Sequence, residues 1–338
     1  MRNIHHTPMG PGGPRPVAGN ARCIGGGPDF TQSIPQDGYA WWYADAFSDD
    51  GLHGLTMIAM LGSVFSPYYR RARSKGLGDP FNFCGLNVAL YGAAGKRWAL
   101  TERGRSDLSI ESGRLAIGPS SLVWDGTSLT IDVREITVPI PSRLRGTIRL
   151  FPSATTAETF VLSGNGNHRW QPIAPFSRVE LEFSKPALTW SGHGYFDWNS
   201  GDSPLENTFV GWDWSRASTA QGTTILYDGV RRQEDGFHLA LKIDPDGTAR
   251  HIEAPPAVKL ASTPVWRIRR GTRNDAAGGA PAAVIKTLED TPFYARSIIQ
   301  SQIGGDPVRA MHESLSLDRF INPVVQCMLP FRMPRAAR

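Results

Sequence analysis

Residues 188–199 read Leu-Thr-Trp-Ser-Gly-His-Gly-Tyr-Phe-Asp-Trp-Asn, and residues 209–214 read Phe-Val-Gly-Trp-Asp-Trp. With His168-Arg169-Trp170 just upstream, this part of the chain holds five of its ten tryptophans: Trp170, Trp190, Trp198, Trp212 and Trp214. Successive side chains of a strand point to opposite faces. His193, Tyr195 and Asp197 therefore share one face, and Trp190, Phe196 and Trp198 the other. Such a strand can aim a poorly solvated carboxyl at aromatic rings. It can equally be a core strand, in which tryptophans pack and an aspartate near glycines shapes a turn.

The same alternation runs outward in both directions. Strands are expected over 38–47, 53–65, 81–91, 97–102, 107–111, 114–117, 121–125, 128–135 and 144–151, and again over 178–184, 187–198, 207–215, 222–228, 236–243, 248–252, 257–260 and 264–270. Asp-Gly pairs at 50–51, 125–126, 228–229, 235–236 and 246–247 mark hairpin turns between them. Short strands at this spacing, with no helical period sustained over ten residues, predict an all-β fold of two antiparallel barrels in tandem. The expected divisions are a mobile leader over 1–36, a first barrel over 37–177 and a second over 178–338. After 271 the sequence loosens. A strand is expected over 291–303, and a helix over 307–329 from Pro307, Val308, Met311 and Leu315, followed by a basic tail. A site shared between the barrels is natural, because clefts favour domain interfaces.

Of the 338 residues, 36 are Lys or Arg and 31 Asp or Glu, for a net charge of +5. All of that excess lies in 262–338, and the rest of the chain is neutral. A basic end suits nucleic acid, an anionic membrane surface or plain solubility, but no nucleic-acid-binding module is recognisable. Residues 66–75 carry four cations and two tyrosines, a loop or short helix that could rest on lipid headgroups or simply face water. No run of about 18 apolar residues occurs, and the N-terminus lacks the apolar stretch of a secretory signal. Cys23, Cys84 and Cys327 have neither pairing nor metal spacing, so reduced thiols in a protein facing the cytosol are expected. Asn82 and Asn87 interrupt an apolar strand and need a partner or a ligand.

The eight histidines form no metal motif, and the adjacent His5 and His6 lack further ligands. Dinucleotide, P-loop and nucleophile-elbow patterns are absent as well. The remaining enzymatic option is a site made of side chains, with no cofactor and no metal. A carboxylic acid in an aromatic pocket can protonate an alkene, and π-faces stabilise the resulting cation. That acid must stay protonated, so burial has to lift its pKa well above the reference of about 3.9. Asp197 fits this description. Asp213, between Trp212 and Trp214, and Asp45 are competing acids.

Several motifs then carry a resemblance. They are 38–51 (GYAWWYADAFSDDG), 62–69 (GSVFSPYY), 87–92 (NVALYG), 97–104 (RWALTERG), 194–199 (GYFDWN) and the terminal SLSLDRF and MLPFRMPR. Together they resemble the bacterial carotenoid 1,2-hydratases, also called hydroxyneurosporene synthases, from about 36 to 335. The resemblance implies tandem lipocalin-like barrels, as in the wider group that includes the AttH-like proteins. It implies cofactor-free addition of water across the terminal C1=C2 bond of an acyclic carotenoid such as neurosporene or lycopene. The family's proposed His-x-Trp and Tyr-x-Asp pairs match His168/Trp170 and Tyr195/Asp197. On this reading Asp197 donates the proton, Trp170 and Tyr195 stabilise the cation, and His168 or the Asp197 carboxylate holds the water. Trp41, Trp212, Trp214 and His193 are candidate substrate contacts, because a long polyene needs an extended apolar slot. The substrate's lipid solubility implies peripheral association with the cytoplasmic side of an inner or photosynthetic membrane, through the basic loop and tail. Two other readings use the same barrels: a non-catalytic carotenoid or lipid carrier, and a related cofactor-free hydratase or cyclase acting on another prenyl or polyketide skeleton.

Overall fold

In the Ala187–Gly201 strand every residue from Gly194 to Gly201 is buried, so both faces of the strand are covered. The computed structural model, which describes residues 14–18, 26–92, 95–275 and 280–336, shows why. Trp190, Phe196 and Trp198 join one hydrophobic core, while Tyr195 joins a second. The neighbouring Tyr39–Ser48 strand divides its side chains in the same way. Ala40, Trp42, Ala44 and Ala46 belong to the first core, and Tyr39 and Tyr43 to the second. These strands form the wall between the two cores, and period-two alternation supplies apolar groups to both sides of it.

The first core lies inside the larger antiparallel sheet. Its principal strands run in the order Arg97–Ala99, Cys84–Tyr91, Gly54–Leu61, Tyr39–Ser48, Ala187–Gly201, His168–Lys185, Arg143–Pro152 and Leu129–Ile136. A bridge between Ala99 and Thr137, with the Val138 N–H donating to the Trp98 carbonyl (3.0 Å), curls the sheet back on itself. The second sheet has seven strands, with Gly222–Arg231, Phe209–Thr219 and Asp306–Ser316 at its centre and Tyr294–Ile303 next to one edge. One face of this sheet packs on the outside of the first sheet, and the second core fills the space between them.

The all-β, antiparallel expectation holds, with curled sheets where two tandem barrels were expected, and several boundaries move. His168–Lys185 and Ala187–Gly201 belong to the first sheet, and the passage to the second falls at 202–208 rather than at 177. The reason is register: Ala187–Gly201 pairs along its length with Tyr39–Ser48, far away in sequence. The helix expected over 307–329 begins as the Asp306–Ser316 strand, with short helices only at Leu317–Phe320 and Pro323–Met328. With both faces of that strand buried, Val308, Met311 and Leu315 show helix-like spacing without forming a helix. Within 280–290 an unforeseen strand, Ala283–Asp290, forms the sheet edge. Part of the leader is anchored, since Phe30 is fully buried with its ring 5.0 Å from Trp42, and Arg15–Ala18 pairs with Glu158–Val161. His5, His6 and Cys23 lie outside the described residues, and Cys84 and Cys327 are free thiols.

Polar side chains fasten the two sheets. Arg216 donates from Nε to Asp45 Oδ1 (2.8 Å), and both residues are buried. Thr223 donates to the Pro175 carbonyl (2.7 Å), and Arg296 donates to Thr56 (2.7 Å) and the Tyr91 hydroxyl (3.0 Å). Truncating one member of a buried pair strands the other, so Arg216→Met is expected to destabilise the fold by about 3–5 kcal/mol. Asp45→Asn combined with Arg216→Met should recover most of that loss, as urea denaturation of the three proteins will show.

Candidate active site

Between the sheets lies a cavity with about 220 Å³ of space open to water, walled mainly by aromatic side chains. Two cross-strand rows face it. On the first sheet Asp197, Tyr43, Ile58 and Asn87 stand in register on four adjacent strands. On the second, Tyr227, Trp214, Glu313, Arg296 and Glu289 do the same on five. Every residue of both rows lines the cavity. Registered neighbours hold their Cβ atoms about 5 Å apart, so each row is a continuous ribbon of contacting side chains.

Asp197 sits at the closed end, 4% exposed. Its Oδ2 accepts from Trp170 Nε1–H (2.8 Å) and from the Tyr195 hydroxyl (2.8 Å), and its Oδ1 accepts from Asn199 Nδ2 (3.2 Å). Alternation brings Tyr195, Asp197 and Asn199 to one face. Trp170 lies opposite Asn199 on the adjoining strand, which sets its indole diagonally across from Asp197. Burial raises the carboxyl to about 8, against the opposing pull of the Trp170 and Tyr195 hydrogen bonds. Asp197 is therefore mostly protonated at neutral pH. With Oδ2 taken by two donors, Oδ1 is the oxygen left to carry the proton. Tyr195 packs on Trp214 with ring centroids 5.4 Å apart, and Trp170 meets Tyr227 edge-on at 5.7 Å. The acid thus opens onto π-faces.

The other candidate residues divide. Trp41, Trp212 and Trp214 line the cavity. His168 does not line it: Nδ1 lies 2.9 Å from the Tyr39 hydroxyl and Nε2 2.9 Å from the Thr208 hydroxyl, so both ring nitrogens are engaged. Burial lowers its pKa to about 4, and the neutral ring supports the strand ends rather than holding a water for Asp197. His193 shares the Tyr195 face by alternation but lies at the exposed end of the strand, 57% accessible and near Asp49, so it does not touch the cavity. Asp213 points to the opposite face of its strand, where Ser314 donates to it. Asp45 is engaged by Arg216. Neither is a competing acid in the cavity. Asn87 finds its partner in the Ala99 carbonyl (2.9 Å).

The sequence did not point to Tyr227, Glu289, Arg296 and Glu313 as cavity residues. Arg296 and Glu313 lie among other polar residues of their strands, and the helical reading of 307–329 hid the face that Glu313 shares with the cavity. At the open end, Phe293, Met328, Leu329 and Arg332 line the cavity, with the Arg332 guanidinium 4.3 Å above the Trp98 ring. Among the described residues no group of side chains is arranged to hold a metal, and no helix is long and apolar enough to cross a membrane.

Comparison with known proteins gives the family and the fold. The family described as carotenoid hydratase CrtC matches residues 57–338. An acyclic carotenoid 1,2-hydratase of Thiocapsa roseopersicina is 60% identical over 309 residues, 91% of this chain and 76% of the relative. Another, from Rubrivivax gelatinosus, is 49% identical over 92% of this chain and 77% of its own. Among solved structures, a protein described as AttH from Nitrosomonas europaea aligns with TM-score 0.54 at 13% identity, covering 84% of this chain and 96% of its own. A kievitone hydratase from Nectria haematococca aligns at 0.53 and 9% identity, covering 85% and 92%. At these identities the two structures speak for the fold alone.

A carboxyl held protonated until about pH 8 weakens folding as pH rises from the unfolded value, because the unfolded chain ionises and the folded one does not. At pH 7 this costs up to about 4 kcal/mol relative to strongly acidic solution. Asp197→Asn is therefore expected to melt at higher temperature than wild type at pH 7. That difference should vanish toward pH 4, which scanning calorimetry at the two pH values will check.

Proposed function

The chain belongs to the carotenoid hydratase family, and from that premise we propose that it adds water across the terminal C1=C2 bond of acyclic carotenoids such as neurosporene and lycopene by acid catalysis. It is an enzyme of carotenoid hydration, with a carotenoid and water as its substrates. The observation that carries the acid mechanism is Asp197: a buried carboxyl raised to about 8, facing aromatic rings, with two donors on one oxygen. Its proton passes to C2 and leaves the cation on C1, the more substituted carbon. The Trp170, Trp214 and Tyr227 rings, which line the cavity, favour positive charge there. As the proton leaves, the Trp170 and Tyr195 hydrogen bonds strengthen onto the new carboxylate. Water closes the tertiary alcohol. No oxidation state changes, so on this reading the reaction needs no cofactor.

We also propose that the open end of the cavity rests on a lipid surface, on the cytoplasmic side of an inner or photosynthetic membrane. Val324, Met328 and Phe331 are 69%, 37% and 76% exposed, three apolar side chains within eight residues, and Met328 also lines the cavity. Arg332 beside them suits anionic headgroups. Of the basic loop, Arg73 is taken by Glu206 at 2.6 Å, which leaves Arg71 and Lys75 as its outward cations.

Wild type and Asp197→Asn, supplied with lycopene or neurosporene in liposomes, test the acid directly, with products followed by mass. Wild type should add one water, and Asp197→Asn should lose about 100-fold or more of the rate while still binding carotenoid. Wild-type turnover should fall as pH rises through about 8, because the acid form disappears. Unchanged hydration in Asp197→Asn would move the acid elsewhere. A folded wild type that binds both carotenes without turnover would favour the carrier reading. For the membrane, Val324→Ser with Phe331→Ser should reduce co-flotation with anionic vesicles several-fold and leave turnover of detergent-dispersed carotene intact.

A further inference from the structure

We infer that Glu313, held by Arg296, positions the attacking water and accepts the proton that the water releases, from the cavity wall opposite Asp197. The inference rests on Asp197 as the acid and supplies the second half of the reaction, for which His168 is not available.

The two residues are registered neighbours on the second sheet, next to Trp214. Arg296 donates from Nε (2.9 Å) and Nη2 (2.7 Å), and both bonds fall on Glu313 Oε1. Neither of these bonds falls on Oε2, and the Tyr294 hydroxyl lies beside the same carboxylate. A buried ion pair is a weak source of stability, because desolvation offsets most of its attraction. A buried pair that leaves one carboxylate oxygen open to a cavity is therefore better explained by what that oxygen binds. Two further groups point the same way. The Tyr43 and Tyr294 hydroxyls are buried without a hydrogen bond of ordinary geometry, Tyr43 facing Asp45 and Tyr294 facing Glu313. The Arg296 guanidinium lies 5.8 Å from the Tyr43 ring and 5.3 Å from the Tyr294 ring, so both rings flank the Arg296–Glu313 pair. Unsatisfied polar groups lining a roomy cavity are the setting in which ordered water is held.

The arrangement also separates the two proton transfers. Trp214 touches Tyr195 on one side and adjoins Glu313 on the other, which sets its face between acid and acceptor. The C1=C2 π pair takes the Asp197 proton to form the C2–H bond. A lone pair of the water forms the C1–O bond. The resulting oxonium gives its proton to Glu313 Oε2, and its O–H bonding pair returns to oxygen. After product leaves, the proton passes through water from Glu313 to Asp197. The sum is alkene plus water to tertiary alcohol, with no electron acceptor. Arg296 is a positioning residue, since it fixes which oxygen of Glu313 faces the water.

Turnover in D2O separates formation of the cation from its capture. Lycopene would be incubated with wild type, Glu313→Gln, Glu313→Gln combined with Arg296→Met, and Asp197→Asn. Hydrated product and deuterium in recovered carotene would be followed by mass. The double variant removes both charges together, so it tests the role even if an unpaired Arg296 prevents the single variant from folding. In the Glu313 variants kcat for hydration is expected to fall about 100-fold or more, with KM within about threefold. Deuterium should still enter recovered carotene at or above the wild-type level, because the cation forms and collapses by losing the original C2 hydrogen in place of the deuteron it received. Asp197→Asn should lose both signals. Hydration within about threefold of wild type in the Glu313 variants overturns the inference. So does a parallel loss of hydration and exchange in folded double variant, which would mark the pair as a structural clamp. Exchange that survives in Asp197→Asn overturns the acid assignment instead and leaves the Glu313 comparison to be read on its own.

Discussion

Desolvation of one carboxyl governs the site. Asp197 is held near pH 8 by burial, and the burial comes from a strand that separates two cores instead of bounding one. If either face of Ala187–Gly201 met water, the carboxyl would titrate near its ordinary value and would hold no proton at neutral pH. The tryptophans and phenylalanine on its even face exclude water from behind, while Tyr195 and Trp214 exclude it from the front. The chemistry and the packing therefore depend on the same alternation.

The seam between the sheets is also where polar groups concentrate, although it is largely aromatic. Arg216 with Asp45, Arg296 with Glu313, Thr56 and Tyr91, and Lys96 with Glu289 all lie along it. Such groups are costly to bury and add little net stability. What they contribute is registry, because each demands a partner at one position on the opposing sheet or strand. A seam held only by aliphatic contacts could slide. One held by guanidinium forks fixes the Asp197 row opposite the Glu313 row.

The sequence showed this plan unevenly, for identifiable reasons. Alternation alone brought Tyr195 and Asp197 to one face, because period two is a local property. The same rule put His193 beside them, and there it failed, since alternation says nothing of where a strand leaves the cavity. Trp170 was legible only through a motif. Its bond to Asp197 depends on the pairing of Trp170 with Asn199 across the hairpin, which no local pattern encodes. The boundary near 177 had no physical counterpart, because His168–Lys185 crosses it as one strand. Glu313 stayed hidden because burial on both faces of Asp306–Ser316 removed the polar–apolar alternation by which a strand announces itself. Long-range register, more than composition, is what a single sequence withholds.

Acid strength sets the last constraint. An acid titrating near 8 is available at neutral pH, but it is weak against an isolated alkene, whose conjugate acid is far stronger. Ring faces help by about 2 kcal/mol each when desolvated, which does not close the gap alone. The larger stabilisation comes from the carboxylate that the proton leaves behind. Opposite charges about 4 Å apart in a medium of effective dielectric about 20 attract by about 4 kcal/mol, and that attraction exists only after transfer. Trp170 and Tyr195 act in the same direction, since both donate to Oδ2 and bind the anion more strongly than the acid. Burial keeps the proton in place before reaction. The ion pair and its two donors take effect only as the proton moves, so they favour the transition state over the ground state.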